Sequence, residues 1–187
     1  MTNNTIPWHA WNPGLDNDGE TLKAVLDTLP GAPPEEISWL VRLMENPESP
    51  LALTGAVSLE RHDCIHILLG RGLLNQDEAF VIGYTMGTAK RDLRRFETFL
   101  FKKVARYLYP TPYRLTKADL KAYQLGVTAG RAAKAEKIYD FPFEDHHNTQ
   151  LGKLRTLIGV DKAALRTAYK EEHDLLPHTK ASKRLPL

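Results

Sequence analysis

The sequence predicts an all-α fold, a single-domain multi-helix bundle, and three observations carry that prediction. Apolar residues recur at helical spacing, the marked segments are bounded by proline, glycine and capping residues, and no stretch alternates as a strand would. The 187 residues suffice for one domain with a real core. Hydrophobic residues at 42% and charged residues at 26% are usual for a soluble globular chain, and a net charge of +2 gives no general case for nucleic acid. The single cysteine excludes an internal disulfide and a cysteine-based zinc site, which fits a reducing compartment. No apolar run reaches transmembrane length, and the N-terminus has neither signal-peptide nor transit-peptide character. The expected location is cytoplasmic, with at most peripheral attachment to the inner face of the cell membrane.

Residues 1–17 read as a loose N-terminal arm, 18–175 as the helical domain, and 176–187 as a disordered basic tail with Lys180, Lys183 and Arg184. Residues 19–29 make a short helix stopped by Pro30-Gly31. Pro33-Pro34-Glu35-Glu36 opens the next, carrying Ile37, Leu40, Val41 and Met44 and ending before Pro47. Ser49-Pro50 starts a segment that is helical to residue 69, with a bend at Gly55. The longest helix is expected over residues 76–109, followed by one from Thr116 to about residue 138 that Phe141-Pro142-Phe143 breaks. Residues 151–158 form a short helix ended by Gly159, and Asp161 caps a last one to about residue 173. Gly83/Gly87 and Gly126/Gly130, each pair four apart, mark faces where a neighbouring helix can approach closely.

His62-Asp63-Cys64-Ile65-His66, with Glu78 beyond a Gly70/Gly72 break, carries the chemistry. Histidines four apart on a helix stand one above the other, about 40° apart around the axis, with Asp63 about 100° from His62. Glu78 joins them only if the next helix folds back. Two imidazoles and two carboxylates converging on one point suit zinc, and also iron, cobalt or manganese. Cys64, Ile65, Ile67, Leu68 and Leu69 make the helix apolar almost all round, hence buried, so its polar residues need partners. A tight His–Asp network would meet that need as well as a metal would. Glu78 has a competing role: with Asn75 it resembles a helix-capping pair. Cys64 faces away from the histidines and reads as a small core residue.

Residues 90–106 hold seven basic residues (Lys90, Arg91, Arg94, Arg95, Lys102, Lys103, Arg106) against Asp92 and Glu97. Leu93, Phe96, Leu100, Val104 and Tyr107 add an apolar stripe. Such a helix either lies on an anionic membrane, with Arg91, Arg94, Arg95, Lys102 and Lys103 toward the surface, or is a bundle helix with a basic outer face. Other constellations fall short. Gly70-Arg71-Gly72 lacks the strand and third glycine of a nucleotide loop, and no histidine lies between residues 10 and 61 to complete an HD-type phosphohydrolase site. Asp63-x-x-His66 and Glu144-x-x-His147 have di-iron spacing, but Phe141-Pro142 sets the second pair at a helix break, where His146 and His147 read as a polar turn.

His62-Asp63-x-x-His66, eleven residues and then Glu78 resembles the signature of the Coq-four family of ubiquinone (coenzyme Q) biosynthesis proteins. Asn46-Pro47-Glu48 ahead of the motif helix, Gly130-Arg131 ahead of Phe143-Glu144, and the stretch from Leu151 to Gly159 resemble the family in order. The similarity spans about residues 40–172, while residues 1–35 have no counterpart and Phe141-Pro142-Phe143 replaces the family's tryptophan-rich segment. The resemblance implies an all-helical protein binding a divalent metal, zinc foremost, through His62, Asp63, His66 and Glu78. It also implies peripheral membrane association, a polyprenylated quinone precursor or other isoprenoid lipid as ligand, and other quinone-biosynthesis proteins as partners. Its chemistry would be removal of the C1 carboxyl group of a prenylated hydroxybenzoate with ring oxygenation. The alternatives are a non-catalytic prenyl-lipid scaffold for such enzymes and an unrelated metal-dependent hydrolase. The absence of a mitochondrial presequence points to a bacterial-type member, nucleic acid is not an expected partner, and self-association is compatible with the sequence.

Overall fold

A computed structural model describes residues 6–30, 54–107 and 114–187. Among these, every regular element is helical: α1 (Leu22–Leu26), α2 (Leu59–Leu69), α3 (Asn75–Gly87), α4 (Arg95–Tyr107), α5 (Lys117–Ala132), α6 (Leu151–Ile158) and α7 (Lys162–Leu175), with short 3-10 turns between some of them. The all-α prediction holds. The helix expected between Pro33 and Pro47 lies outside the described residues.

Capping chemistry sets most of the boundaries. The Ser58 hydroxyl accepts the Arg61 N–H at the start of α2, and Gly70 closes that helix in the left-handed conformation, φ 65°. A side chain at Gly70 would also strike the Gly14 backbone, 2.7 Å from its Cβ. At α5, Thr116 and Asp119 cap reciprocally, with the Thr116 N–H donating to Asp119 Oδ2 (2.7 Å) and the Asp119 N–H to Thr116 Oγ1 (3.2 Å). Asp161 accepts the N–H groups of Ala163 and Ala164 at the start of α7, as the sequence predicts.

Four expected helices are shorter than their patterns, the first spanning Leu22–Leu26 rather than residues 19–29. The segment to residue 69 becomes helical only at Leu59, because Gly55 (φ 97°) sits in a turn and Ser58 caps α2; residues 50–53 lie outside the described residues. The single helix expected over 76–109 is two, α3 and α4. Thr88 diverts the chain: its hydroxyl donates to the Thr85 carbonyl (2.6 Å) and accepts the Ile138 N–H (3.2 Å). Lys90 then takes a φ of 55° and its ammonium bonds the terminal carbonyls of α5 at Gly130, Arg131 and Ala133. α5 itself stops at Ala132, and residues 138–140 form a separate 3-10 turn.

α3 and α5 cross with backbone against backbone. A Cβ at Gly83 would lie 2.2 Å from the Tyr123 carbonyl oxygen, and one at Gly126 equally close to that of Phe80. Gly87 and Gly130 are as confined, against Val127 and Tyr84. The two glycine pairs are therefore one packing device. Beside it lie two apolar clusters. One gathers Ile65, Leu68, Phe80, Tyr84, Leu151, Leu154 and Tyr169, and the other joins α3, α4 and α5 through Ile82, Met86, Phe101, Ala105 and Val127.

The arm and the tail depart from expectation. Trp11 and Leu15 are buried in the main core, and the Trp11 indole N–H donates to Thr28 Oγ1 (3.0 Å). At the other end, Ala181 and Ser182 are buried beside a 3-10 turn, Ser182–Arg184. The described residues of both segments, 6–17 and 176–187, pack against the domain rather than trailing from it.

Candidate metal centre

α2 is buried on nearly every side, as its sequence requires: His62, Cys64, Ile65, His66, Ile67, Leu68 and Leu69 are all out of solvent. Its C-terminal carbonyls are satisfied by donors from afar. The Arg155 guanidinium reaches the carbonyls of Ile67 (3.3 Å) and Leu68 (2.9 Å), and the Tyr169 hydroxyl bonds that of Leu69. The helix that carries the histidines is thus held at its end by α6 and α7. The glycine turn after it sends α3 back alongside.

That return brings Glu78 to the histidines. Glu78 Oε2 lies 3.0 Å from His62 Nε2 and 3.3 Å from His66 Nε2, and the two Nε2 atoms are 3.0 Å apart. His66 is fully enclosed, His62 is 5% exposed, and the Glu78 carboxylate is partly open to solvent. The helix-capping role that the sequence offered Glu78 is taken by its neighbour. α3 begins one residue earlier than the Asn75 signature implies, and Asp77 supplies the carboxylate that accepts the Leu74 N–H (3.2 Å).

The proton positions are set by the partners. His66 Nδ1 is 2.9 Å from the Gly72 carbonyl, which only accepts, so Nδ1 carries the hydrogen, and in the neutral ring Nε2 presents its lone pair to the trio. His62 Nε2 faces that lone pair and a carboxylate oxygen at once, and one N–H serves only one of them well. Burial alone would lower the His66 pKa, but the Glu78 charge outweighs it and raises the value. Against the same burial, His66 and His62 hold Glu78 well below the usual carboxylate range. A cation satisfies this trio, either a proton shared with His66 or, with the ring neutral, a metal ion facing the converging lone pairs.

The donor set fits a divalent metal. Tetrahedral zinc with bonds of about 2.0–2.1 Å places its ligand atoms about 3.3 Å apart, close to the 3.0, 3.0 and 3.3 Å separations of this trio. Two imidazole nitrogens and one carboxylate oxygen leave a coordination position unassigned, as catalytic zinc sites and non-haem iron sites do. His62, His66 and Glu78 form a group whose ligand atoms all lie within 4.8 Å of one another. Asp63 is not in that group. It is half-buried on the next position around α2, and its charge acts on His66 from there.

Cys64 is buried, and desolvation pushes its thiol up to about 12, so it is the core residue expected. Glu144 and His147 stay apart from the trio. Glu144 pairs with Arg61 (2.6 Å) and His147 lies against Glu60 (3.1 Å), on and just after a 3-10 turn. Sequence reasoning misses a buried network beside the site. Arg71, fully enclosed, pairs with Glu172 on α7 (2.9 Å) and Asp77 (3.1 Å) and stacks over the Phe80 and Tyr169 rings. An arginine inside the run Leu68-Leu69-Gly70-Arg71-Gly72-Leu73-Leu74 is the signal that could have found it, since a charge in so apolar a stretch needs a buried partner.

On α4, Arg91, Arg94, Arg95 and Lys103 of the basic set are exposed, the first two in the link before the helix, whereas Lys102 is drawn onto Gln124 of α5. Phe96, Phe99 and Tyr107 are exposed as well, and the Lys103 ammonium lies 5.5 Å from the centres of the Phe99 and Tyr107 rings. No helix among the described residues is long and apolar enough to cross a membrane. Comparison with protein-family models, with curated proteins and with solved structures finds no match for this chain.

Proposed function

We propose that this protein binds a divalent metal, zinc foremost, through His62, His66 and Glu78, and acts in ubiquinone or related prenylquinone biosynthesis. The observation that carries the metal reading is the convergence of three donor atoms at 3.0–3.3 Å on a buried helix. The pathway reading rests on the resemblance of the His62-Asp63-x-x-His66…Glu78 spacing to the Coq-four family. Asp63, implied as a ligand by that resemblance, is better placed to tune His66 than to join the trio. The reaction would replace the C1 carboxyl of a prenylated hydroxybenzoate by a hydroxyl. The ring-to-carboxyl bond breaks and carbon dioxide leaves; one oxygen atom of dioxygen joins the ring, and the other leaves as water with two electrons and two protons from an external reductant. A bound metal would supply Lewis acidity toward the substrate's oxygens. The chain's own contribution is the orientation of His66 by Gly72, the enclosure of the histidines, and a carboxylate open to solvent at Glu78.

A second reading is favoured by α4, whose exposed Phe96, Phe99 and Tyr107 with Arg95 and Lys103 suit an anionic membrane surface. In that reading the protein holds prenyl lipid and partner enzymes at the membrane without catalysis. One experiment separates the two: metal content of the tag-free protein and of His66→Ala, with turnover of a prenylated hydroxybenzoate given dioxygen and a reductant. Near-stoichiometric metal and turnover, both lost in His66→Ala, are expected. Metal lost with turnover intact would overturn the catalytic reading, and a wild type that takes up no metal after reconstitution would overturn the site.

A further inference from the structure

The turn between α2 and α3 is gripped from both ends of the chain. Gly72 gives its carbonyl to His66, and its Cα faces a wall: a Cβ there would lie 2.7 Å from the Trp11 carbonyl oxygen and 2.9 Å from Arg184 Nη2. The same Arg184 nitrogen is 3.1 Å from Asp77 Oδ2, the carboxylate that caps α3 immediately before Glu78. Arg184 Nη1 donates to the His9 carbonyl (3.0 Å), and the Asn12 amide donates to the Arg184 carbonyl (3.3 Å). Two residues away, Ser182 Oγ meets the Gln76 amide nitrogen (2.9 Å), which also donates to Glu172 (2.6 Å). Every residue from Gln76 to Glu78, and Gly72 before them, is therefore either a ligand candidate or held by the C-terminal segment and its partners.

Resting on the metal site proposed above, we infer that Arg184 is a positioning residue for it. The C-terminal segment acts as a brace that fixes the two points, Gly72 and Asp77, on which the orientations of His66 and Glu78 depend. Charge and shape act together in this brace. Arg184 is the cation that reaches Asp77 from outside the turn, whereas Arg71 reaches it from within and is already shared with Glu172. Its planar head also fills the space against Gly72 that a side chain would otherwise occupy. Removing it leaves Asp77 to Arg71 and the Leu74 N–H alone and opens a gap behind the His66 partner.

The test compares wild type, Arg184→Gln and Arg184→Lys by competition of zinc against a chromophoric chelator, by the visible absorption of the cobalt-loaded proteins, and by thermal melting. Arg184→Gln is expected to bind zinc severalfold more weakly, short of the roughly 10–100-fold for loss of a partner bonded directly to a ligand. Its cobalt bands should change in intensity, with Arg184→Lys recovering part of both. Unchanged affinity and cobalt spectrum in Arg184→Gln, with at most a lower melting temperature, would overturn the inference and leave the metal site standing. Failure of the wild type itself to bind zinc or cobalt would overturn both, and that result is read before any variant is made.

Discussion

α2 and α4 both carry charged or titratable residues among apolar ones, yet they put them to opposite uses. α2 encloses its two histidines, so each has a demand that must be met: His66 by Gly72 and by the trio, His62 by Glu78. α4 buries only Phe101 and Ala105 and leaves Phe96, Phe99, Lys103 and Tyr107 in solvent. Its charged heads keep access to water, and the bonds that Glu97, Lys102 and Arg106 make to Thr54, Gln124 and the Leu115 carbonyl are peripheral ones. A cluster of polar residues thus points to chemistry in proportion to the water it has lost, and the two histidines of α2 weigh more than the seven basic residues of the second region.

The sharpest way to break this contrast is by truncation. Ile65→Ala on α2 should cost about 2–5 kcal/mol in chemical denaturation, while Phe99→Ala on α4 should stay within about 0.5 kcal/mol. Similar losses at the two positions would mean that α4 is covered in solution.

A pH series separates the metal from the bare trio. Without metal, the ionised His66–Glu78 pair contributes stability between the ordinary values of 4.5 for Glu and 6.5 for His. That contribution is lost as pH rises through the raised His66 value, and at the acid end as pH falls through the lowered Glu78 value. Metal binding needs a neutral His66, so its stabilisation grows in the opposite direction. Melting temperatures of chelator-treated and metal-loaded protein should therefore diverge by several degrees between about pH 5.5 and pH 8. Parallel curves would place the metal elsewhere than His66.

Smaller effects are expected from enclosure and exposure themselves. Cys64, with its thiol raised to about 12, should resist alkylation in the native protein and react on denaturation; rapid native labelling would show that α2 opens. The double variant Phe96→Ala/Phe99→Ala should keep its melting temperature and metal content while losing severalfold in sedimentation with anionic vesicles. Unchanged sedimentation would remove α4 from any membrane role.

Much of the fold was legible because its boundaries are written locally. Asp161, Gly159 and the Thr116–Asp119 pair mark their helix ends within a few residues, and the structure obeys them. The misjudged places answer to distant partners. Thr88 and Lys90 break the 76–109 pattern by bonding residues about forty to fifty positions away, and Trp11 and Ala181 are buried by elements no local pattern names. The site divides in the same manner. His62 and His66 could be read from spacing alone, and Glu78 from the turn before it. The exclusion of Asp63 from the trio and the transfer of the cap to Asp77 depend on how α3 is rotated against α2, which the sequence does not state.

α3 also crosses α5 at close quarters, and that crossing has a mechanical consequence. Contacts between side chains can be relaxed by changing rotamers; contacts between backbones cannot. Gly83 and Gly126 leave no side-chain layer between the two helices where they cross. Glu78 sits five residues from Gly83, about 7.5 Å along the same axis. A shift of α5 should therefore carry α3, and the Glu78 carboxylate with it.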